Sequence, residues 1–242
     1  MGSKEEIRNR VWALMEREGV YKPPLPIRHR IPNFIGAERA AERLRDLQAF
    51  RDAEVVKVNP DSPQSPVRKL VLSAGKLLIM PTPRLRRGFL LIDPRGLPEG
   101  AIGMAATIKG AFKFGKGMDL DEAPRIDFIV AGSVAVAPDG SRLGKGGGYS
   151  EIEYGILREL GIIDEGTPMA TTVHDVQIVE EVPMDDHDLA VDYILTPTRI
   201  LETHRGLPRP KGIIWDKLPS DAIGEIPLLR LMRSRRAATG IG

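Results

Sequence analysis

Apolar positions recur at helical spacing in the first part of the chain and run almost unbroken through its middle. Residues 4 to 18, KEEIRNRVWALMERE, set Ile7, Val11 and Leu14 on one face with Gly19 as a stop, which predicts an amphipathic helix with a basic side. The stretch YKPPLPIRHRIPNF that follows carries too much proline for regular structure and predicts an extended connector over the surface. In GAERAAERLRDLQAF, Ala40, Leu44 and Leu47 return at helical spacing opposite a charged face, predicting a second amphipathic helix.

Short β-branched runs come next. AEVVKVN, KLLIM and GFLLID read as strands, with SPVRKLVLSAGK as a helix between the first two. Gly100 to Lys116 mixes glycine, small apolar residues and lysines, and predicts an irregular or partly helical loop. IDFIVAGSVAVA has the continuous apolar character of a strand covered on both faces. A glycine-rich loop and the helix SEIEYGILREL follow, the latter with Ile152, Ile156 and Leu160 on one face; PMATTV and VDYILT supply further strands. This alternation of strand and helix argues for an α/β fold with a largely parallel sheet, because parallel neighbours need crossover connections. After Leu207 the chain is proline-rich and ends in LLRLMRSRRAATG, which predicts a short helix with a frayed basic end. The expected organisation is a single α/β domain over residues 1–220 and a basic tail over 221–242.

Composition narrows the chemistry. The 242 residues suffice for a full core, and the formal net charge of +2 does not by itself announce a nucleic-acid binder. Cysteine is absent, so disulfides, thiolate metal sites and cysteine nucleophiles are all excluded. The polar N-terminus and the lack of a long apolar run lead to the expectation of a soluble, cytoplasmic protein. Few asparagines and glutamines beside abundant Arg, Glu and Pro follow a pattern of heat-adapted proteins.

GSRLGKGGGYSEIEYG, residues 140 to 155, raises the sharpest question, because a simple turn rarely needs Gly144, Gly146, Gly147 and Gly148 beside Arg142 and Lys145. A loop leaving a buried strand and entering a helix is where open α/β sheets bind ligands. Glycines there permit positive φ and bring N–H groups to an anion, and Arg142 and Lys145 add formal charge. The spacing is neither that of a P-loop nor that of a dinucleotide fingerprint, and a plain strand-to-helix turn stands as the alternative. A second candidate lies in EEVPMDDHDLAVDYILT, where His187 with Asp185, Asp186, Asp188 and Asp192 resembles a hard-cation site. Its alternative is a solvated acidic turn. Lys4 and Arg8 share a helical face, as an ordinary charged stripe also does, and His29, His174 and His204 read as structural or exposed histidines. Neither a Ser-His-Asp arrangement nor a zinc spacing can be assigned.

Three separated segments join these pieces. Lys4-x-x-Ile7-Arg8, IDFIVAGSVAVAPDGSRLGKGGGY and VQIVEEVPMDDHDLAVDYILTPT occur in the order in which the 5-formyltetrahydrofolate cyclo-ligase (methenyltetrahydrofolate synthetase) family carries similar motifs, and the chain resembles that family over most of its length. The segments IPNFIGAERAA, VVKVNPDSPQSPVRK and LLIMPTPRL resemble its divergent branch of methenyltetrahydrofolate synthetase domain-containing proteins. The resemblance implies a three-layer α/β sandwich related to the sugar-phosphate isomerase and CoA-transferase group. It also implies Mg²⁺ and ATP as cofactors, with γ-phosphoryl transfer to a formyl oxygen and attack by the neighbouring folate nitrogen to close a ring. Carried over by position, Lys4, Arg8, Arg142 and the loop Gly144, Lys145, Gly146, Gly147, Gly148, Tyr149 would hold the phosphates, with Lys4, Arg142 and Lys145 acting in catalysis. Asp188 matches the aspartate of an HD motif that looks like a metal ligand, and Glu151 offers a second carboxylate. Phosphoryl transfer asks mainly for positioning and charge neutralisation, which this set supplies.

The chain departs from that pattern where the family commonly continues Tyr-Tyr-Asp-Arg, since it has Tyr149, Ser150, Glu151 and Ile152. The family's Glu-Pro element, which helps hold the folate, is not recognisable in GMAATIKGAFKFGKGMDLDEAP. The leading expectation is an ATP- and Mg²⁺-dependent cyclo-ligase-like enzyme acting on a reduced folate or related pterin. The alternatives are another ATP-dependent kinase or ligase, and a non-enzymatic or RNA-associated protein using Lys109, Lys113, Lys116 and the cluster Arg233, Arg235 and Arg236. On the folate reading, the lysines from 109 to 116 would hold an anionic substrate tail. No aromatic RNP pattern appears toward the C-terminus, so an RNA-recognition module is not expected in these residues.

Overall fold

The computed structural model describes residues 2–203 and 207–239, which leaves His204 outside the described residues. Helix α1 (Lys4–Arg17) starts at a capping box in which the Ser3 hydroxyl accepts from the Glu6 amide. Its buried face is Ile7, Val11, Trp12 and Met15, so Trp12 and Met15 turn inward while Leu14 is only half-buried. The proline-rich connector runs through a small antiparallel pair, β1 (Tyr21–Lys22) and β2 (Asn33–Phe34).

The second helical stretch is broken into α2 (Ala37–Glu42), a 3₁₀ turn (Arg43–Asp46) and α3 (Gln48–Asp52). Leu47 is extended at the break, and the kinked path lets Leu44, Leu47 and Phe50 all reach the core. Then come β3 (Val55–Val58), α4 (Ser65–Ser73), β4 (Leu77–Pro81) and β5 (Phe89–Ile92). The glycine- and lysine-containing stretch forms α5 (Ile102–Ala105), α6 (Ile108–Phe114) and a short edge strand β6 (Lys116–Gly117).

The apolar run expected as one strand is two. It forms β7 (Phe128–Ala131), leaves the sheet at Gly132 and Ser133, and continues as β8 (Ala135–Val136) in a hairpin with β9 (Arg142–Leu143). A Cβ at Gly132 would lie 2.8 Å from Gln64 Oε1 and 3.0 Å from Ile31 Cγ2, so a larger residue there would have to push these side chains aside. The glycine loop therefore leaves the hairpin rather than the buried strand, and enters α7 (Tyr149–Glu159). The remaining elements are β10 (Met169–Thr172), β11 (Tyr193–Leu195), β12 (Ile200–Glu202), α8 (Ala222–Glu225) and α9 (Pro227–Thr239).

Eight strands form one sheet in the order β12-β11-β10-β7-β3-β4-β5-β6. The five central strands from β11 to β4 are parallel, and antiparallel strands close both edges. Alternation persists beneath the continuous hydrophobicity. Phe128 and Val130 of β7 face one core with α4 residues Val67, Leu70 and Val71, whereas Ile129 and Ala131 face another with α7 residues Ile152, Ile156 and Leu157. Helices thus cover both faces, giving three layers. A third apolar cluster seats α1 against the β8–β9 hairpin through Ile7, Val11, Trp12, Ala135 and Leu143. The C-terminal stretch does not trail as a solvated tail, because Ala222, Ile226, Leu229 and Met232 are buried in the core on the α7 side.

Candidate functional site

From β3 the chain passes through α4 to β4 on one side, whereas from β7 it returns through α7 to β10 on the other. The β3–β7 boundary is therefore the point at which strand order reverses, and open α/β sheets present ligand crevices beyond the carboxyl ends of such strands. A cleft of about 300 Å³ lies here, lined by Lys4, Arg8, Asp61, the loop from Gly144 to Gly148, Tyr149, Glu151, Asp185, His187 and Asp188.

Three chain segments converge on it. Because the opposite side of α1 is packed on the hairpin, Lys4 and Arg8, one turn apart, are held toward the glycine loop. Arg8 Nε donates to the Gly144 carbonyl at 2.8 Å, and its Nη1 donates to Glu5 at 2.9 Å. Gly146, at φ +98°, has room for the Arg8 guanidinium, which a Cβ there would approach to 3.4 Å. Gly148, at φ +67°, begins α7 with no side chain capping the first amides, so those donors face the loop.

The third segment is the turn at 185–188. The Asp185 amide donates to Asp188 Oδ2 at 2.6 Å, and an isolated bridge between Ser141 and Ala190 ties the segment to the hairpin turn. Lys4 Nζ donates to Asp185 at 2.7 Å and to Asp188. Burial of Lys4 works against its charge, but these two carboxylates outweigh it and raise its pKa above the ordinary lysine value. The same hydrogen bond from Lys4 holds the Asp185 carboxyl below the usual range. Asp185, His187 and Asp188 bring ligand atoms within 4.8 Å of one another; His187 Nε2 lies 3.9 Å from Asp188 Oδ1, while Nδ1 lies 3.7 Å from Asp186 Oδ1. Two carboxylates and an imidazole fit a hard divalent cation that keeps part of its shell for phosphate and water.

Not every expected residue faces the cleft. Arg142 is sealed beneath it, with its side chain 1% exposed, donating through Nη1 to the Gly132 carbonyl at 3.0 Å and through Nη2 to Glu151 at 2.6 Å. Arg142 therefore braces the floor and orients Glu151 rather than gripping a ligand directly. Glu151 lines the cleft but lies outside the Asp185–His187–Asp188 cluster. Lys145, 42% exposed, pairs with Asp61 at 2.8 Å across the mouth.

Asp61 was not singled out by its sequence. Its loop is held by buried Arg68, which donates to the carbonyls of Asn59 at 2.6 Å, Asp61 at 3.0 Å and Ala106 at 2.7 Å. Burial lowers Arg68 to about 10, which keeps it charged at neutral pH. The arginine inside the apolar-rich helix SPVRKLVLS was the available signal. Beneath the floor a second unanticipated group, Lys57 and Glu153, forms a buried ion pair at 2.5 Å.

A wider cavity of about 610 Å³ adjoins the cleft along Asp61, Lys145, Gly146, Tyr149 and Ser150. Its basic rim is His29, Arg30 and Arg84. From the lysine-rich stretch only Ile108 reaches it; Lys109, Lys113 and Lys116 line neither space. In the proposed basic patch, Arg235 is engaged by Asp121 at 2.7 Å. His174 caps the 3₁₀ turn Asp175–Gln177 by accepting from the Val176 amide, a structural role, and burial lowers its pKa. No helix among the described residues is long and apolar enough to cross a membrane.

A sequence model of the 5-formyltetrahydrofolate cyclo-ligase family matches residues 1–197. The chain is 43% identical over 242 residues to a methenyltetrahydrofolate synthase domain-containing protein of Bos taurus, covering 98% of this chain and 64% of that protein. The counterpart from Mus musculus is 45% identical, with 98% and 65% covered. The chain thus spans slightly under two thirds of the curated relatives it matches. Among solved structures, Aquifex aeolicus 5,10-methenyltetrahydrofolate synthetase superposes with a TM-score of 0.51 at 22% identity, covering 86% of this chain and 96% of that one, which supports a shared fold. By sequence match and architecture together, the chain belongs to the 5-formyltetrahydrofolate cyclo-ligase family.

Proposed function

We propose that this chain is an ATP- and Mg²⁺-dependent cyclo-ligase acting on 5-formyltetrahydrofolate or a closely related reduced pterin. The observation that carries the reading is the convergence of Lys4, Arg8, the open amides of Gly144 to Gly148 and the Asp185–His187–Asp188 cluster in one cleft at the switch point of the sheet. Such a set is what phosphoryl transfer requires, because positioning and charge neutralisation account for most of its catalysis.

On this reading the loop amides and Lys145 hold the phosphates, with Lys4 and Arg8 flanking them. Asp185, His187 and Asp188 would hold Mg²⁺, which supplies charge neutralisation on the phosphate oxygens. Every cation of the cleft is already matched by a protein acceptor: Lys4 by Asp185 and Asp188, Arg8 by Glu5 and the Gly144 carbonyl, and Lys145 by Asp61. Binding a polyanion with its metal exchanges partners within a nearly balanced set of charges. The wider cavity receives the pterin beside the γ-phosphate. The formyl oxygen would take the phosphoryl group as ADP departs, and the neighbouring folate nitrogen, the N–H of the bridge outside the pterin ring, would then attack the activated carbon, lose its proton to solvent and expel inorganic phosphate.

The test is a turnover assay with both substrates. ADP and phosphate released in equal amounts, only when 5-formyltetrahydrofolate is present and alongside a methenyl product, is the expected result. ATP turnover indifferent to the folate, or none at all, would contradict it.

A further inference from the structure

The wider cavity has a floor unlike its rim. It is made of Asn59, Ser150 and Glu153, and Glu153 is 4% exposed. Lys57 interrupts the apolar strand β3 on the side facing α7, and Glu153 interrupts the apolar face of α7 that meets it. The two join through Lys57 Nζ to Glu153 Oε2 at 2.5 Å, and Asn59 Nδ2 donates to the same oxygen at 3.0 Å. Asn59 Nδ2 also lies 3.4 Å from the Ser150 hydroxyl. A carboxylate so buried is costly unless paired: burial pushes the Glu153 carboxyl up, and the charge and hydrogen bond of Lys57 oppose that.

All of this engages one oxygen. No described residue bonds Glu153 Oε1, and that atom is not among the sealed polar atoms lacking a partner, so it retains contact with the cavity. A carboxylate accepts only. A single oxygen with free lone pairs, held rigidly through its twin at the bottom of a chamber ringed by His29, Arg30 and Arg84, suits a ligand with N–H donors at one end and negative charge at the other.

We propose that Glu153 is a specificity-determining residue for the second substrate: Oε1 accepts N–H donors from an amino-substituted planar heterocycle entering the wider cavity, while the basic rim holds the ligand's anionic end. This rests on the reading of that cavity as the pterin chamber. Lys57 is then a positioning residue, fixing Glu153 and its charge. The role follows from a general asymmetry: a site built to pair a ligand's donors rejects an analogue lacking them, because its own buried acceptor is left without a partner.

Two small probes separate this role from a purely structural one. Pterin carries a 2-amino donor, whereas lumazine turns a carbonyl acceptor to that position; both keep N3–H, so the pair reads the 2-amino contact alone. Titrated by NMR without nucleotide, the wild-type protein is expected to prefer pterin by about tenfold or more. Glu153→Gln, which keeps the shape of the side chain, is expected to bring the two within about twofold of each other, with Mg·ATP affinity within about twofold of wild type. Because the single variant leaves Lys57 buried with weaker compensation, the double variant Lys57→Met/Glu153→Leu removes the charges together, and it too is expected to lose the preference. Equal binding of the probes by the wild type, or an undiminished preference in either folded variant, would overturn the assignment. A wild-type preference for pterin in a protein that binds no Mg·ATP would support Glu153 while overturning the phosphoryl-transfer reading.

Discussion

Lys4 Nζ is shared between two carboxylates of one turn, Asp185 at 2.7 Å and Asp188, 181 and 184 residues further along the chain. The first turn of α1 is thereby fastened to the candidate metal cluster, and the charge that would face phosphate is held against the charges that would face the metal. On the proposed reading, ligand binding and the seating of α1 are consequently linked.

That link has a pH dependence of definite sign. Burial of Lys4 opposes its charge, its bonds to Asp185 and Asp188 prevail, and its pKa is raised, so its contribution is complete below the ordinary lysine value of ~10.4 and is lost as pH rises through the higher folded value. Asp185 is lowered by the hydrogen bond from Lys4, so its contribution is present above the ordinary aspartate value of ~3.9 and is lost as pH falls through the lower folded value. The fastening is therefore expected to be intact through neutral pH and to weaken at the acid edge. Hydrogen exchange in the first turn of α1 should accelerate relative to the rest of that helix near the lowered Asp185 value. Unchanged relative protection there would contradict the coupling.

Lys145 and Asp61 make opposite predictions. Lys145→Ala removes a partly exposed cation from the loop and is expected to weaken Mg·ATP binding by about tenfold. Asp61→Asn frees Lys145 from a competing carboxylate and is expected to tighten binding by about two- to threefold. Calorimetric titration of both variants checks the pair, and equal affinities would remove the bridge from the site.

Asp188 serves two partners, accepting from Lys4 and from the Asp185 amide. Asp188→Asn is expected to raise the Mg²⁺ concentration needed for ATP binding by about tenfold while the fold persists. A metal titration at fixed ATP measures it. A fully retained metal response would exclude Asp188 as a ligand.

Trp12 ties core packing to the site. It is 1% exposed, lies in the cluster that seats α1, and its Nε1 donates to the Arg30 carbonyl at 3.2 Å. Trp12→Ala is expected to lower stability by ~3–5 kcal/mol in urea unfolding. Mg·ATP affinity should fall as well, because Lys4 and Arg8 lose their support, and an unchanged affinity in the folded variant would show that α1 does not position them.

The parallel sheet was legible because apolar strands alternate with amphipathic helices, and the glycine loop because no ordinary turn concentrates glycines around paired cations. Other features depend on contacts distant in sequence. IDFIVAGSVAVA is two strands because the chain leaves the sheet at Gly132 and Ser133 and pairs as a hairpin with Arg142 and Leu143, and the break at Leu47 lets Leu44, Leu47 and Phe50 all reach the core. Arg142 has the residue type and spacing of a phosphate ligand, yet its burial against Gly132 and Glu151 makes it a brace. Lys57 and Glu153 each look like an error in an apolar pattern until the fold brings them together. The basic end of the chain concealed Ile226, Leu229 and Met232 in the core, because cations dominate its composition while helical spacing decides its packing.

The most direct test of the central claim is calorimetric titration of Mg·ATP into the protein with and without 5-formyltetrahydrofolate. Saturable binding that tightens in the presence of the folate is the predicted result, since on the proposed reading both ligands would meet where the cleft and the wider cavity share Asp61, Lys145 and Gly146. The absence of Mg·ATP binding under either condition would contradict the account and leave the glycine loop as a strand-to-helix turn.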